Sequence, residues 1–215
     1  MTYACIFAGG RGTRMGGNIP KQYLPLDGIP VIVRTATAFA KTDGIDEIIA
    51  AVPVDYIDYT KKLFAEYSLN VTVIEGGKSR NGTLLKFLDY IKDEDGILIT
   101  HDAARAFITP EIISECIRSM DKFQASTVAI AETDSVALCE NGLIKSYLKR
   151  AQVVRIQTPQ TFDLRSMRAI TQGMSEESLD EYTDCAAIFT AKGYQVGIVN
   201  GSRNNIKITY PEDLM

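Results

Sequence analysis

The chain has 215 residues, 46% of them hydrophobic and 23% charged, with a formal net charge of -4. That length suits one domain with a sizeable core, and the acidic balance argues against general nucleic-acid binding through a basic surface. No segment approaches the roughly 20 apolar residues of a membrane span, and no basic start leads into a signal-length apolar stretch, so a cytoplasmic protein without membrane or nucleic-acid partners is expected. The four cysteines, Cys5, Cys116, Cys139 and Cys185, are far apart and form no C-x-x-C pair. With a single histidine in the chain, a structural zinc site has little support, and reduced thiols are expected.

In chain order, Tyr3–Phe7 is an apolar strand that runs into Ala8-Gly9-Gly10-Arg11-Gly12-Thr13-Arg14-Met15-Gly16-Gly17-Asn18-Ile19-Pro20-Lys21-Gln22. A helix is predicted over Pro30–Lys41, a strand over Glu47–Val52, a helix over Tyr56–Tyr67 and a short strand over Val71–Ile74. A helix over Arg80–Ile91 and a strand over Gly96–Thr100 follow. Thr109 is the expected N-cap and Pro110 the first residue of the next helix, and Ser126–Ala131 is a strand. This rhythm implies an α/β fold, a mostly parallel sheet with helices on both faces, whose ligands bind at the carboxyl ends of the strands. After Ala131 the rhythm breaks. Asp134–Cys139 and Leu143–Lys149 flank the turn Glu140-Asn141-Gly142, which predicts a β-hairpin arm over 133–157 of a single domain spanning 1–215. Such an arm cannot bury both its faces alone, so packing on a second subunit is expected; a surface flap is the alternative. Gln157–Phe162 returns the chain. Thr183 is the expected N-cap of a helix over Asp184–Lys192 with Gly193 after its end, Tyr194–Val199 and Asn205–Thr209 are expected strands, and Pro211 starts a further helix.

The opening glycine loop is rich in backbone N–H groups able to approach an anion, and Arg14 and Lys21 add charge. It is neither familiar phosphate motif. The dinucleotide fingerprint meets Met15 where its third glycine belongs, and the P-loop pattern meets Asn18 and Ile19 in place of Lys and Ser/Thr. A plain turn is the bland alternative. A second glycine turn, Gly76-Gly77-Lys78-Ser79-Arg80-Asn81-Gly82-Thr83, faces a base or ribose, with Thr83 donating its hydroxyl, or is an ordinary start of a helix. Asp102, after the strand ending at Thr100, is placed to bind Mg²⁺ that bridges phosphate oxygens. His101 is expected to orient the loop rather than move protons, and Arg105 contacts the ligand or forms a surface ion pair. Lys207 in an apolar strand needs water or an anion for its amine. Phosphate binders, one metal carboxylate and no covalent nucleophile suit direct displacement at phosphorus, in which the protein positions reactants and stabilises charge. A dehydrogenase is disfavoured by Met15, and a non-catalytic nucleotide-binding protein is the alternative of another class.

The blocks AGGRGTRMG, PKQYLPL, GGKSRN, THDAAR, QTPQTF, YTD and NIKIT-PEDL, in order over nearly the whole chain, are similar to the cytidylyltransferases that load sugar-alcohol phosphates onto CMP. The resemblance covers two groups, which act on D-ribitol 5-phosphate and on 2-C-methyl-D-erythritol 4-phosphate. It implies a Rossmann-like nucleotidyltransferase fold and a homodimer. CTP is then expected along Ala8, Gly9, Gly10 and Gly12, with Arg14 and Lys21 on the triphosphate. Gly77, Arg80, Thr83, Asp102 and Ala103 complete the nucleotide site, and Asp102 holds Mg²⁺ or another divalent cation. Ser135, Arg150, Thr158 and Lys207 are expected at the polyol phosphate, Arg150 in the neighbouring subunit's site, and Arg14, Lys21, Arg150 and Lys207 are the expected catalytic residues. Gly9 and Asn81 resemble the ribitol 5-phosphate enzymes, whereas His101 to Arg105 leans toward the methylerythritol enzymes; the reading favours ribitol 5-phosphate, with methylerythritol 4-phosphate the alternative. Ala106 stands where a proline is usual, Ser135 where a threonine is common, and Asn204 where the methylerythritol enzymes tend to carry an Asp.

Overall fold

The computed structural model describes residues 1–10 and 19–214, so the expected ligand residues Gly12 and Arg14 lie outside the described residues. The first part of the chain alternates as predicted: β1 (Thr2–Phe7), the two-residue strands β2 (Pro25–Leu26) and β3 (Ile29–Pro30), α1 (Val31–Ala40), β4 (Glu47–Val52), α2 (Ile57–Glu66), β5 (Thr72–Glu75), α3 (Arg80–Tyr90), β6 (Ile97–Asp102), α4 (Pro110–Ser119) and β7 (Ala125–Ala131). Then come a hairpin, β8 (Ala137–Glu140) and β9 (Leu143–Tyr147), followed by β10 (Val154–Asp163), α5 (Leu164–Thr171), α6 (Glu176–Leu179), α7 (Cys185–Ala191) and β11 (Val196–Asn200). Seven strands make one sheet in the order β11-β7-β10-β6-β1-β4-β5. Only β10 runs antiparallel to its neighbours; every other pairing is parallel. No helix among the described residues is long and apolar enough to cross a membrane.

Strands of a parallel sheet are covered on both faces, which is why β1, β4 and β6 read as continuous apolar runs. Their successive side chains enter two separate cores. Tyr3, Cys5, Ile49, Ala51 and Leu98 pack with Leu84, Phe87, Phe162 and Phe189 on one face. Ala4, Ile6, Ile48, Ala50 and Ile99 pack with Ile32, Phe39, Phe64 and Ile113 on the other. Burial of this kind is worth about 1.5–3 kcal/mol per large apolar side chain, enough to fix the register of the site-bearing strands. The ladder also continues one residue past the strand ends: Ala8 N–H donates to Ala51 O (2.9 Å), Ala103 N–H to Phe7 O (3.0 Å) and Gly76 N–H to Val52 O (2.8 Å). Three loops therefore leave the same sheet edge from fixed starting points.

The second half departs from several expectations. Gln157–Phe162 is not a simple return but part of β10, which inserts between β6 and β7 at the centre of the sheet. Val154 already pairs with Ala131, so the last residues of the expected arm 133–157 belong to the main sheet. The arm itself turns through Asn141 (φ 52°) and Gly142 (φ 79°), the left-handed pair a two-residue hairpin demands. α5 was not anticipated, although Asp163 caps it by accepting the Ser166 N–H (2.8 Å) and Leu164, Met167 and Ile170 share its buried face. The cap of α7 is Asp184 rather than Thr183: its Oδ1 accepts the Ala187 N–H (2.9 Å). Gly193 follows that helix with φ 83°, as expected. Asn205–Thr209 joins no sheet; it is tied to the core by Ile208, through its N–H to Ala104 O (2.8 Å) and its fully buried side chain, and by the buried Asn205, which donates to Thr158 O (2.9 Å).

Candidate active site

A cleft of about 400 Å³ opens at the carboxyl ends of β1 and β6. Of the expected ligand residues it is lined by Ala8, Gly9, Gly10, Lys21, Gly77, Arg80, Thr83, Asp102, Ala103 and Lys207, and Phe7, Gln22, Lys78 and Thr209 also border it. Four cations and a single carboxylate line it among the described residues, which favours a polyanionic occupant.

One wall is the helical turn Lys21–Tyr23. Gln22, almost fully buried, donates its side-chain N–H to Ala8 O (2.6 Å). Tyr23 stacks on Tyr56 with ring centroids 4.9 Å apart and exchanges a hydrogen bond with Thr60 (2.7 Å). These two anchors fix the backbone of Lys21, whose ammonium donates to Ile208 O (2.7 Å). The facing wall is the second glycine turn at the N-terminus of α3. Ser79 caps that helix by accepting the Gly82 N–H (2.9 Å). Gly77 must be glycine, because a Cβ there would lie 2.6 Å from the backbone nitrogen of Thr83. The Thr83 hydroxyl borders the cleft, but its proton goes to Ser79 O (2.8 Å) and it accepts the Gly77 N–H (2.9 Å). Its expected role as a donor to ligand is corrected to that of a pin for the turn.

Arg80 leaves this helix start to cross the cleft. Its guanidinium lies 4.4 Å from the centroid of Phe7, donates to Cys185 Sγ (3.3 Å) and reaches Asp102 Oδ1 (3.4 Å). Burial pushes the Cys185 thiol up, against the opposing charge of Arg80, so the sulfur accepts as a neutral thiol. Lys207 reaches the other Asp102 oxygen at 2.8 Å. Burial alone would raise the Asp102 pKa, yet Arg80 and Lys207 outweigh it and hold the carboxyl well below the usual carboxylate range. Asp102 is thus an ionised, two-handed acceptor at the cleft mouth. His101, the neighbouring residue, points away from the cleft and is fully buried beside Phe39. Burial pushes its pKa down to about 4, so the imidazole is neutral, as its expected orienting role requires.

Three expected substrate residues do not line this cleft. Thr158 sits behind Asp102; its hydroxyl accepts the Asp102 N–H (3.1 Å) and lies 3.0 Å from His101 Nδ1. Ser135 is exposed at the base of the arm, and Arg150, also exposed, donates to Thr133 O (3.0 Å). The two residues that inclined the reading toward ribitol 5-phosphate are not substrate readers in this geometry. Asn81 is buried and donates to Leu179 O (2.6 Å) and Tyr182 O (3.0 Å), inside the packing of α3 on the 179–182 loop. Gly9 has room for a Cβ, whose nearest neighbour would be Thr83 Oγ1 at 3.9 Å. Phe7, Gln22 and the capping serine Ser79 escaped the sequence reading. Only Gln22 and Ser79 left a trace there, within the two glycine-rich stretches.

The sequence model of the family described as 2-C-methyl-D-erythritol 4-phosphate cytidylyltransferase matches residues 2–215. A 4-diphosphocytidyl-2C-methyl-D-erythritol synthase from Anaerococcus prevotii is 26% identical, with a TM-score of 0.86 over 100% of this chain and 94% of its own. The Francisella tularensis 2-C-methyl-D-erythritol 4-phosphate cytidylyltransferase is 25% identical, with a TM-score of 0.82 over 100% and 97%. The bifunctional IspDF of Campylobacter jejuni is 25% identical, with a TM-score of 0.81 over all of this chain and 53% of that one. The chain therefore belongs to the 2-C-methyl-D-erythritol 4-phosphate cytidylyltransferase family and is a nucleotidyltransferase-fold enzyme of the cytidylyltransferase class.

Proposed function

We propose that the chain transfers the CMP group of CTP to 2-C-methyl-D-erythritol 4-phosphate and releases pyrophosphate. The observation that carries this reading is the convergence, in one cationic cleft of a chain matched over residues 2–215, of the glycine loop after β1, Lys21, the turn before α3, Asp102 and Lys207. The ribitol 5-phosphate preference drawn from Gly9 and Asn81 gives way, because the matching family model and the similar solved structures are described as methylerythritol enzymes.

The chemistry follows from the charges. An oxygen of the substrate phosphate, already ionised near neutral pH, attacks the α-phosphorus of CTP; the bond to the β-phosphate bridging oxygen breaks and pyrophosphate leaves with its electrons. No general base is needed, so catalysis rests on alignment and on neutralising the extra charge in the transition state. Lys21 and the backbone N–H groups of Gly9 and Gly10 serve the triphosphate, with Gly12 and Arg14 assigned beside them by the family resemblance. Gly77, Arg80, Thr83 and Ala103 shape the nucleoside side of the site, and Lys207 holds the incoming phosphate. A single carboxylate fits Mg²⁺ only in the mode where phosphate oxygens and water complete the shell, and Asp102 is the residue that would hold it. Bound there, the cation would supply positive charge to the phosphate oxygens.

The arm supports a homodimer. Leu143 (74% exposed), Ile144 (62%) and Tyr147 (68%) present apolar surface that a lone protomer leaves in water. Ser135 and Arg150, remote from their own cleft wall, then serve the polyol phosphate in the partner's site. The reading is tested by incubating the protein with CTP, Mg²⁺ and 2-C-methyl-D-erythritol 4-phosphate. Stoichiometric pyrophosphate and the corresponding CDP-alcohol are expected; CTP binding without pyrophosphate release would overturn it.

A further inference from the structure

Gln22 joins the two sides of the first glycine-rich stretch. Ala8 stands where that stretch begins, and Lys21 and Gln22 where it ends. Gln22 is 3% exposed, borders the cleft and donates its side-chain N–H to Ala8 O (2.6 Å). A carbonyl only accepts, so the atom facing Ala8 O is Nε2. The Ala8 N–H is engaged as well, with Ala51 O at the end of β4 (2.9 Å). Both backbone groups of Ala8 are therefore held, one by the sheet and one by Gln22. The peptide between Ala8 and Gly9 is trans, and a planar trans peptide points its C=O and its N–H in opposite directions. Fixing the Ala8 carbonyl thus fixes the direction of the Gly9 N–H.

The same hydrogen bond acts on Lys21. Its turn is closed by Tyr23 N–H to Pro20 O (2.9 Å) and by Leu24 N–H to Lys21 O (3.1 Å). Tyr23, stacked on Tyr56, pins one side of the turn, and Gln22 pins the other to β1. The lysine stem is flexible, so the reach of its ammonium is set by where this turn places the backbone. We propose that Gln22 is a positioning residue: through Ala8 and Lys21 it holds the first donor of the glycine loop and the lysine ammonium at the fixed spacing at which both meet a polyphosphate. Without the donor, the nearly buried Ala8 carbonyl loses its partner. The Ala8–Gly9 peptide is then free to turn its oxygen, rather than its N–H, toward an anion. Gly9 offers little resistance to that rotation, since it carries no Cβ and the nearest atom to one would be Thr83 Oγ1 at 3.9 Å.

This inference rests on the cleft being a CTP site, so its test begins with a readout that needs neither CTP nor activity. In ¹⁵N spectra of the free protein, the assigned Gln22 side-chain amide is expected to exchange with solvent at least about tenfold more slowly than an unstructured amide; free exchange overturns the proposal. Gln22→Met keeps the length of the side chain and removes the donor. Its affinity for CTP, measured by calorimetry, is expected to fall about 10-fold, with the KM for the polyol phosphate at saturating CTP little changed. Wild-type affinity for CTP, or an effect confined to the KM of the polyol phosphate, would refute it. The double variant Lys21→Ala, Gln22→Met separates positioning from direct contact with the nucleotide. The two losses should fall short of multiplying, and a full product, the mark of independent contacts, would refute the role. Should the methionine variant not fold, the wild-type amide still decides. If the wild type binds no CTP, the functional reading fails while the amide spectrum still judges the link between Gln22 and Ala8.

Discussion

Replacing Asp102 with asparagine keeps the side chain's shape and removes its charge, leaving Arg80 and Lys207 facing each other without the carboxylate between them. The Asp102 side chain is 11% exposed, Arg80 25% and Lys207 43%. Taking one partner from a fully buried ion pair costs about 3–5 kcal/mol; with Lys207 nearly half in water, the expected loss is about 2 kcal/mol at neutral pH. In a chain of this size that lowers Tm by about 4–8 °C. The pH dependence has a definite sign. Arg80 and Lys207 overcome the opposing effect of burial and depress the folded-state pKa of Asp102. The stabilisation is therefore fully present above the unfolded value of about 3.9 and is lost as the pH falls below it. Urea unfolding of wild type and Asp102→Asn at pH 7 and at a series of acidic pH values measures both effects. The gap is expected to be about 2 kcal/mol at pH 7 and to close below about pH 4. An asparagine variant as stable as wild type at pH 7, or a gap that widens on acidification, would refute the reasoning.

Lys21→Ala should lower kcat by about 10²–10³-fold with the circular dichroism spectrum unchanged, since its neighbours Gln22 and Tyr23 supply the anchoring; near-normal turnover would remove Lys21 from the triphosphate. Gly77→Ala forces a methyl group against the Thr83 backbone, so a loss of about 1–3 kcal/mol and a raised KM for CTP are expected; an unchanged KM would show that the turn does not border the nucleotide. Arg150→Ala should raise the KM for the polyol phosphate and spare that for CTP, and an effect on CTP alone would contradict its service to the partner's site. Ile144→Glu places a charge on the exposed apolar face of the arm and should shift the protein toward monomer in analytical ultracentrifugation; an unaffected dimer would move the interface elsewhere.

The β-α-β half of the fold was legible because each buried strand is a continuous apolar run and each helix carries a recognisable boundary, such as Pro110 at the start of α4. β10 was partly hidden: Gln157, Thr158, Gln160 and Thr161 are polar yet buried, the first three hydrogen-bonded through their side chains, so periodicity did not mark them as core. The helix α5 is only two turns long, too short for its apolar spacing to stand out against the loops. Asn205–Thr209 has strand-like alternation but is held by Arg105, Ala104 and Lys21 rather than by a ladder, and only tertiary structure reveals such partners. In the site, glycine and charge marked both turns. What sequence could not show was direction. Thr158, expected at the polyol phosphate, turns its hydroxyl to the Asp102 N–H and His101, and Asn81 donates to Leu179 O and Tyr182 O.

The most direct test is a pyrophosphate-release assay with CTP and Mg²⁺ against 2-C-methyl-D-erythritol 4-phosphate and D-ribitol 5-phosphate in parallel. The methylerythritol substrate is expected to give the higher kcat/KM by a wide margin; faster release with ribitol 5-phosphate, or none with either, would contradict the account.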